Sequence, residues 1–275
     1  MKTNNSLVDN VGRDSTASKT LRASVQFWFV VAVIGQWTFA GYVAAYYGGS
    51  ALQGDMDMWN KIFPRGYVAG DTLGNFSVAL HLFLAVVVTF GGPLQLIPQL
   101  RRLVPAFHRW NGRVYLLAVV GTSIAGLCML FARGFVGGPL QFAALCINAT
   151  LIILCAGIAL RYALARQFSL HRRWALRLFL LVSGVWFFRV GLMFWLVLNK
   201  GPVGFDPETF QGPFLSFLAF AQYLLPLAVL ELYFYVQDRT RALAHFILAG
   251  GIALLTVAMG AGIAATIMLM WLPRL

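Results

Sequence analysis

His108 and His171 are the residues of this chain best suited to hold a cofactor. Each stands at the start of a long apolar stretch, the two lie 63 residues apart, and each is followed directly by an arginine. Two neutral imidazoles that face each other across a helical bundle at equal depth are the ligands of a six-coordinate haem. The pair therefore predicts one haem b, or a quinone, bound between two helices near the cytoplasmic surface, and hence a redox function.

Arginines surround both histidines. Arg109 and Arg113 follow the first histidine, and Arg172 and Arg173 follow the second. Cations in the first turn of a helix oppose the helix dipole, and a bound anion relieves that conflict. The same pattern arises where basic residues anchor helix ends at the cytoplasmic surface. The arginines therefore predict either a site for an anionic lipid head group or phosphate, or plain anchoring.

Arg189 lies in the middle of an apolar run, where an arginine costs roughly 2.5 to 3.5 kcal/mol on insertion scales. It needs a partner, which the sequence offers as Glu231, a backbone carbonyl or a bound anion. Several polar residues fall at a similar predicted depth on other runs: His81, Gln141, Asn148 and Gln222. Together with Arg189 they predict a pocket, open to the outside, that binds or moves a small or anionic solute without being an enzyme site. The amides equally suit ordinary hydrogen bonds between helices.

The composition decides which elements must position these residues. Sixty per cent of the chain is apolar, 11% is charged, and the mean hydropathy is +0.75, which is typical of a membrane protein. Seven apolar runs are each long enough to cross a bilayer. They cover about residues 25–47, 73–97, 112–131, 140–160, 174–198, 214–236 and 242–272.

The runs predict an all-α, polytopic membrane protein with a single seven-helix domain at residues 25–275. The second to fifth runs are expected to form a four-helix core, and residues 1–24 a disordered cytoplasmic tail. His171 and Arg189 are 18 residues apart, five turns of an ideal helix, so one face of the fifth span is expected to serve both candidate sites.

Most of the 21 Lys and Arg residues fall in the tail and in every second loop. This bias predicts a multi-pass protein of the cytoplasmic (inner) membrane with its N-terminus in the cytoplasm and its C-terminus outside. Because the cations form short clusters between apolar runs, the net charge of +12 does not indicate nucleic-acid binding. The sequence also lacks a glycine-rich phosphate loop and the common hydrolase motifs.

Glycines in the last run suggest close helix contacts. Gly250 and Gly251 are adjacent, and Gly260 and Gly262 flank an alanine. Small residues let helix backbones approach within one chain or between chains. A homo-oligomer or an accessory role in a larger membrane complex is therefore a further prediction.

One segment resembles a known family. His81, the sequence Gly-Pro-Leu-Gln at 92–95, the sequence His-Arg-Trp-Asn-Gly-Arg-Val-Tyr at 108–115, and His-Arg-Arg-Trp at 171–174 resemble the bacterial membrane-protein family catalogued as Domain of Unknown Function 2306. The resemblance covers about residues 73–198 and implies the fold but no reaction. A more distant similarity to the cytochrome b561 group implies a haem between diagonal helices.

Overall fold

The structure, a computed structural model, describes residues 16–239 and 241–275, and these residues are mainly helical. The helices are α1 (Thr16–Leu52), α2 (Thr72–Leu96), α3 (Pro98–Leu103), α4 (Pro105–Ala132), α5 (Pro139–Leu164), α6 (Phe168–Val182), α7 (Gly184–Asn199), α8 (Pro213–Gln237) and α9 (Ala242–Arg274). Short π-helical turns, Ala44–Gly48 and Ile267–Trp271, lie near the ends of α1 and α9.

Six of these helices are long and apolar enough to cross a membrane, and α6 and α7 together form a seventh, bent by 50°. This confirms the predicted all-α, polytopic class with seven spans. The first span begins at Thr16 rather than at Val25. Residues 16–24, assigned above to a disordered tail, are therefore helical, and the rest of that tail lies outside the described residues.

Proline and capping residues explain where several helices begin. Proline stands in the first turn of α3, α4, α5 and α8, where its missing N–H costs no hydrogen bond. Asp71 caps α2, because its Oδ1 accepts a hydrogen bond of 2.9 Å from Gly74 N. Helix α6 begins at Phe168, and Gln167, which precedes it, makes no capping hydrogen bond with its side chain.

The alternating spans create two faces. The amino-terminal face holds the start of α1, helix α3 and residues 165–167. The carboxyl-terminal face holds residues 53–71, 133–138 and 200–212 and the end of α9. These names describe the molecule without assigning either face to a side of the membrane.

Two apolar clusters fill the interior. The first lies between α1, α2, α7 and α9 and includes Phe39, Trp186 and Trp271. The second lies between α2, α4, α5, α6 and α8 and includes Tyr115 and Leu181. Spans two to five thus pack together as predicted, and the sixth span joins them. The bent fifth span contributes α7 to one cluster and α6 to the other.

Two glycines allow α1, α7 and α9 to approach closely. A Cβ on Gly35 would lie 2.7 Å from side-chain atoms of Trp186 and Ile263, and a Cβ on Gly262 would lie 2.6 Å from the backbone oxygen of Val190. Gly262 is therefore a contact within the chain. Gly250 and Gly251 have no atom within 4 Å of an added Cβ, so their predicted role between chains stays a prediction.

Candidate functional site

The fifth span breaks between α6 and α7, at Ser183. Ser183 N donates to Phe179 O at 3.1 Å, and the ladder of α7 starts with Phe187 N donating to Ser183 O at 2.9 Å. The Ser183 hydroxyl donates to Phe179 O at 2.7 Å and accepts a hydrogen bond of 2.9 Å from Gln36 Nε2. Because of the 50° bend, the expectation that His171 and Arg189 share one face of a straight helix is wrong.

Arg189 lies two turns into α7, beside α1. Its Nη1 donates to Val185 O at 3.1 Å, and its guanidinium carbon lies 5.3 Å from the centre of the Phe39 ring. The hydroxyls of Tyr47 and Tyr42 lie within electrostatic range of this cation. Within the described residues Arg189 forms no ion pair. A carbonyl and an aromatic face, rather than Glu231, therefore accompany this cation.

Glu231 has a different partner. Both of its carboxylate oxygens accept hydrogen bonds from Arg177, at 2.6 Å from Nε and 2.9 Å from Nη2. The Arg177 guanidinium also lies 4.8 Å from the ring centre of Trp174 and 5.4 Å from that of Phe234. The sequence-based suggestion that Glu231 neutralises Arg189 is therefore wrong. Glu231 lies nearer the amino-terminal face, where its carboxylate is already paired.

A cavity of about 330 Å³ opens at the carboxyl-terminal face. Its lining residues include two cations and no carboxylate: Tyr46, Met58, Lys61, Ile62, Pro273 and Arg274. Arg274 lies within electrostatic range of both Tyr42 and Arg189. We call this cavity, with Tyr42, Tyr47 and Arg189 beside it, the basic vestibule.

Three buried hydrogen-bond donors lie in the apolar cluster next to the vestibule. The indole nitrogens of Trp186 and Trp271 have no hydrogen-bond partner within the described part of the chain, and the Tyr42 hydroxyl interacts with the side chain of Arg274. Trp271 stacks on Tyr42, with ring centres 5.6 Å apart, and on Phe39, at 5.3 Å. The region therefore offers donors and positive charge but few acceptors.

The remaining residues of the predicted pocket separate into three places. His81 Nδ1 bonds to Thr122 O on α4 at 2.9 Å and lies within electrostatic range of Arg189. Gln141 stays at the start of α5, where its amide nitrogen donates to Phe210 O at 3.2 Å. Asn148 and Gln222 instead border Gly184, at the break in the fifth span. Of the predicted set, the structure brings Asn148 and Gln222 together, and it places His81 within electrostatic range of Arg189.

His108 and His171, the two candidate haem ligands, lie within electrostatic range of each other at the amino-terminal face. His171 Nδ1 bonds to Ala159 O at 2.9 Å, whereas His108 Nδ1 is buried without a partner in the described residues. The bundle interior on this side is filled by Tyr115 and Phe179, which pack against Gly92. Haem or quinone binding stays a prediction.

The arginines near these histidines do not converge on one site. Arg113 lies over the ring of Trp110, with 4.8 Å between the guanidinium carbon and the ring centre, and Arg109 is exposed. Arg172 and Arg173 border a different cavity of about 150 Å³, between α6 and α8. There Arg173 pairs with Asp238 at 3.2 Å. The four arginines predicted to frame one anion are therefore divided between α4 and α6.

The motif residues around His108 mainly pack α2 against α4. The side chain of Asn111 donates to Gly91 O at 3.1 Å, and that of Gln95 donates to His108 O at 3.3 Å. A Cβ on Gly92 would lie 3.0 Å from the Tyr115 ring. These contacts give a structural role to the Gly-Pro-Leu-Gln and Asn-Gly-Arg sequences.

Sequence reasoning missed an ion pair at the carboxyl-terminal face. Arg133, whose side chain is 5% exposed, pairs with Asp71 at 2.9 Å and donates to Arg65 O and to Asn75 Oδ1. The pair ties the loop before α2 to the end of α4. The sequence does not indicate this ion pair, because Arg133 directly follows an apolar run and resembles an ordinary basic residue of a loop.

The fold and these contacts define an all-α, multi-pass membrane protein. The chain belongs to the family described as predicted membrane protein (DUF2306), which matches residues 78–225. The matched region contains His108, His171, the break in the fifth span and Arg189. No curated protein and no solved structure matches the chain significantly. Within the described residues no three His, Cys, Asp or Glu side chains come together as a metal site.

Proposed function

We propose that this protein binds a small anionic solute in the basic vestibule. The observation that carries the proposal is that Lys61, Arg189 and Arg274 lie in or beside one cavity and form no ion pair within the described residues. Unpaired charge inside a membrane span is costly, and such residues usually serve a ligand or ion pathway. An anion supplies the missing partner.

The donors of Arg189 support an oxygen-rich ligand. A guanidinium has five N–H donors, and Val185 O accepts from one of its nitrogens. The neighbouring hydroxyl of Tyr42 adds a further donor. A carboxylate, phosphate or sulfate accepts several hydrogen bonds at once, and bonds to a charged partner are about twice as strong as neutral ones.

The shape of the vestibule supports a small solute. A volume of about 330 Å³ lies at the lower end of ligand pockets in proteins. Lys61 and Arg274 stand at the cavity, where they raise the local concentration of anions. Arg189 lies deeper, next to the Phe39 ring, where the lower dielectric strengthens its attraction for an anion. The arrangement suits capture at the surface followed by tighter binding inside.

The distribution of basic residues indicates how the protein is oriented across the membrane. The basic residues concentrate at the amino-terminal face, so we infer that this face lies in the cytoplasm and that the vestibule opens on the opposite side of the membrane. The solute would then be met outside the cytoplasm.

Ligand-induced thermal stabilisation tests the proposal. Purified protein in a neutral detergent is heated with inorganic phosphate, sulfate or succinate, at constant ionic strength. We expect one of these anions to raise the unfolding temperature, since a ligand that binds the folded state stabilises it. In the double variant Lys61→Gln/Arg274→Gln the concentration needed should rise by about tenfold, as two charge-assisted contacts are lost.

The control variant loses the same number of positive charges, but at the amino-terminal face. Arg101→Gln/Arg102→Gln removes two exposed cations of α3 and should leave the concentration dependence unchanged. If both double variants behave like the wild type, or if none of the three anions stabilises the protein, the vestibule is not a site for anions of this kind.

A further inference from the structure

The break in the fifth span holds two spare hydrogen-bond acceptors. Asn148 and Gln222 are 4% and 3% exposed, and neither Asn148 Oδ1 nor Gln222 Oε1 has a partner within the described residues. Their amide nitrogens are occupied, since Asn148 Nδ2 donates to Leu181 O at 3.4 Å and Gln222 Nε2 to Ala219 O at 2.7 Å. These bonds fix the orientation of both amides and leave the two oxygens spare.

The same place offers donors. The first-turn amides of α7 belong to Gly184, Val185 and Trp186, because its ladder begins with Phe187 N bonded to Ser183 O. A helix supplies no carbonyl partner for the amides of its first turn. At the middle of an apolar bundle such groups need another partner, since each unsatisfied backbone group in lipid costs several kcal/mol.

Gly184 lies beside both amide side chains. A Cβ on this residue would lie 3.1 Å from Asn148 Nδ2 and 3.6 Å from Gln222 Oε1. Both amides therefore border the position where any other residue would have a side chain. The neighbouring Ser183 hydroxyl is already used, by Phe179 O and by Gln36.

We propose that the break binds water, which donates to Asn148 Oδ1 and Gln222 Oε1 and accepts from the Gly184 amide. The site takes a small neutral molecule that both donates and accepts, and a buried water typically makes about three such bonds. A metal ion fits poorly, because two neutral oxygens are few ligands and an amide donor repels a cation. The proposal does not depend on anion binding in the vestibule.

The site has a structural consequence for α7. The backbone hydrogen bond from Ser183 to Phe179 is direct. In the next turn, water takes the place of direct hydrogen bonds and links the helix to α5 and α8. Because hydrogen bonds to water exchange readily, α7, which carries Arg189, is held less rigidly to α6 at this hydrated break. Glycine at position 184 is required because a methyl group would take the place of the water.

Water-edited solid-state NMR of the full chain in lipid bilayers tests this. We expect magnetisation from water protons to reach the Gly184 amide and the Asn148 side chain in the wild type. In Gly184→Ala the added methyl group should abolish transfer to Asn148, while Gly157→Ala, whose Cβ meets no atom within 4 Å, should leave it unchanged. A second variant, Gln222→Met, removes one acceptor and should weaken the same signals severalfold.

Two outcomes overturn the proposal. If Gly184 and Asn148 receive no magnetisation from water while loop residues 200–212 do, the break is dry. If instead the shifts of Asn148 and Gln222 change when sodium is replaced by potassium or lithium, the ligand is an alkali cation. Comparing spectra of the variants outside the break distinguishes loss of water from loss of fold.

Discussion

Gly262→Ala should destabilise the protein by about 3 kcal/mol, as overpacking of a tight contact does. The new Cβ would lie 2.6 Å from the backbone oxygen of Val190, so α7 and α9 must move apart. A backbone atom cannot rotate away as a flexible side chain can. Thermal unfolding in detergent measures the effect, and we expect the midpoint to fall by at least about 5 °C.

Gly260→Ala is the matched control, since it makes the same change two residues earlier in α9. Its Cβ would meet only Val31, at 3.9 Å, which is ordinary contact. We expect an unchanged or slightly higher midpoint, because alanine favours the helix. Equal losses in both variants would show that α7 and α9 do not approach each other as described.

The second large effect concerns the ion pair of Asp71 and Arg133. Asp71→Asn keeps the cap of α2, because asparagine is as good a cap as aspartate, but leaves the buried Arg133 without its counter-charge. Removing one partner of a buried pair costs about 3 to 5 kcal/mol. The Asp71 side chain is 45% exposed, so we expect about 2 to 3 kcal/mol, measured by the same unfolding assay.

Asp57→Asn provides the comparison, because it removes an exposed carboxylate from the same loop and should change stability little. The double variant Asp71→Asn/Arg133→Met should be more stable than Asp71→Asn alone, since it no longer buries an unpaired charge. If the double variant is the less stable of the two, the ion pair is not the source of the loss.

The seven spans were predictable because each needs about 20 apolar residues, and that signal survives errors of several residues at either end. The break at Ser183 was not predictable in this way. Serine and glycine both occur in straight membrane helices, and the fifth run stays apolar across the bend. At the bend the Ser183 hydroxyl accepts a hydrogen bond from Gln36, which lies 147 residues away.

The partners of the charges were the least predictable feature. Glu231 and Arg177 lie 54 residues apart and meet only because α6 and α8 pack at one depth. Arg189 stands out in the sequence from its place in an apolar run, yet its neighbours Phe39 and Tyr47 come from a span that the family motifs do not include. Aromatic residues in a membrane helix carry no sign of which cation they will face.

Equilibrium binding of the stabilising anion to protein in lipid nanodiscs tests the central proposal most directly. Titration calorimetry would compare the wild type with Arg189→Gln and with Arg239→Gln, a matched loss of an arginine that lies 4.5 Å from the ring centre of Tyr235 at the other face. We predict that Arg189→Gln weakens binding by about 10- to 100-fold and that Arg239→Gln does not. Equal affinity in Arg189→Gln and the wild type would contradict an anion site in the basic vestibule.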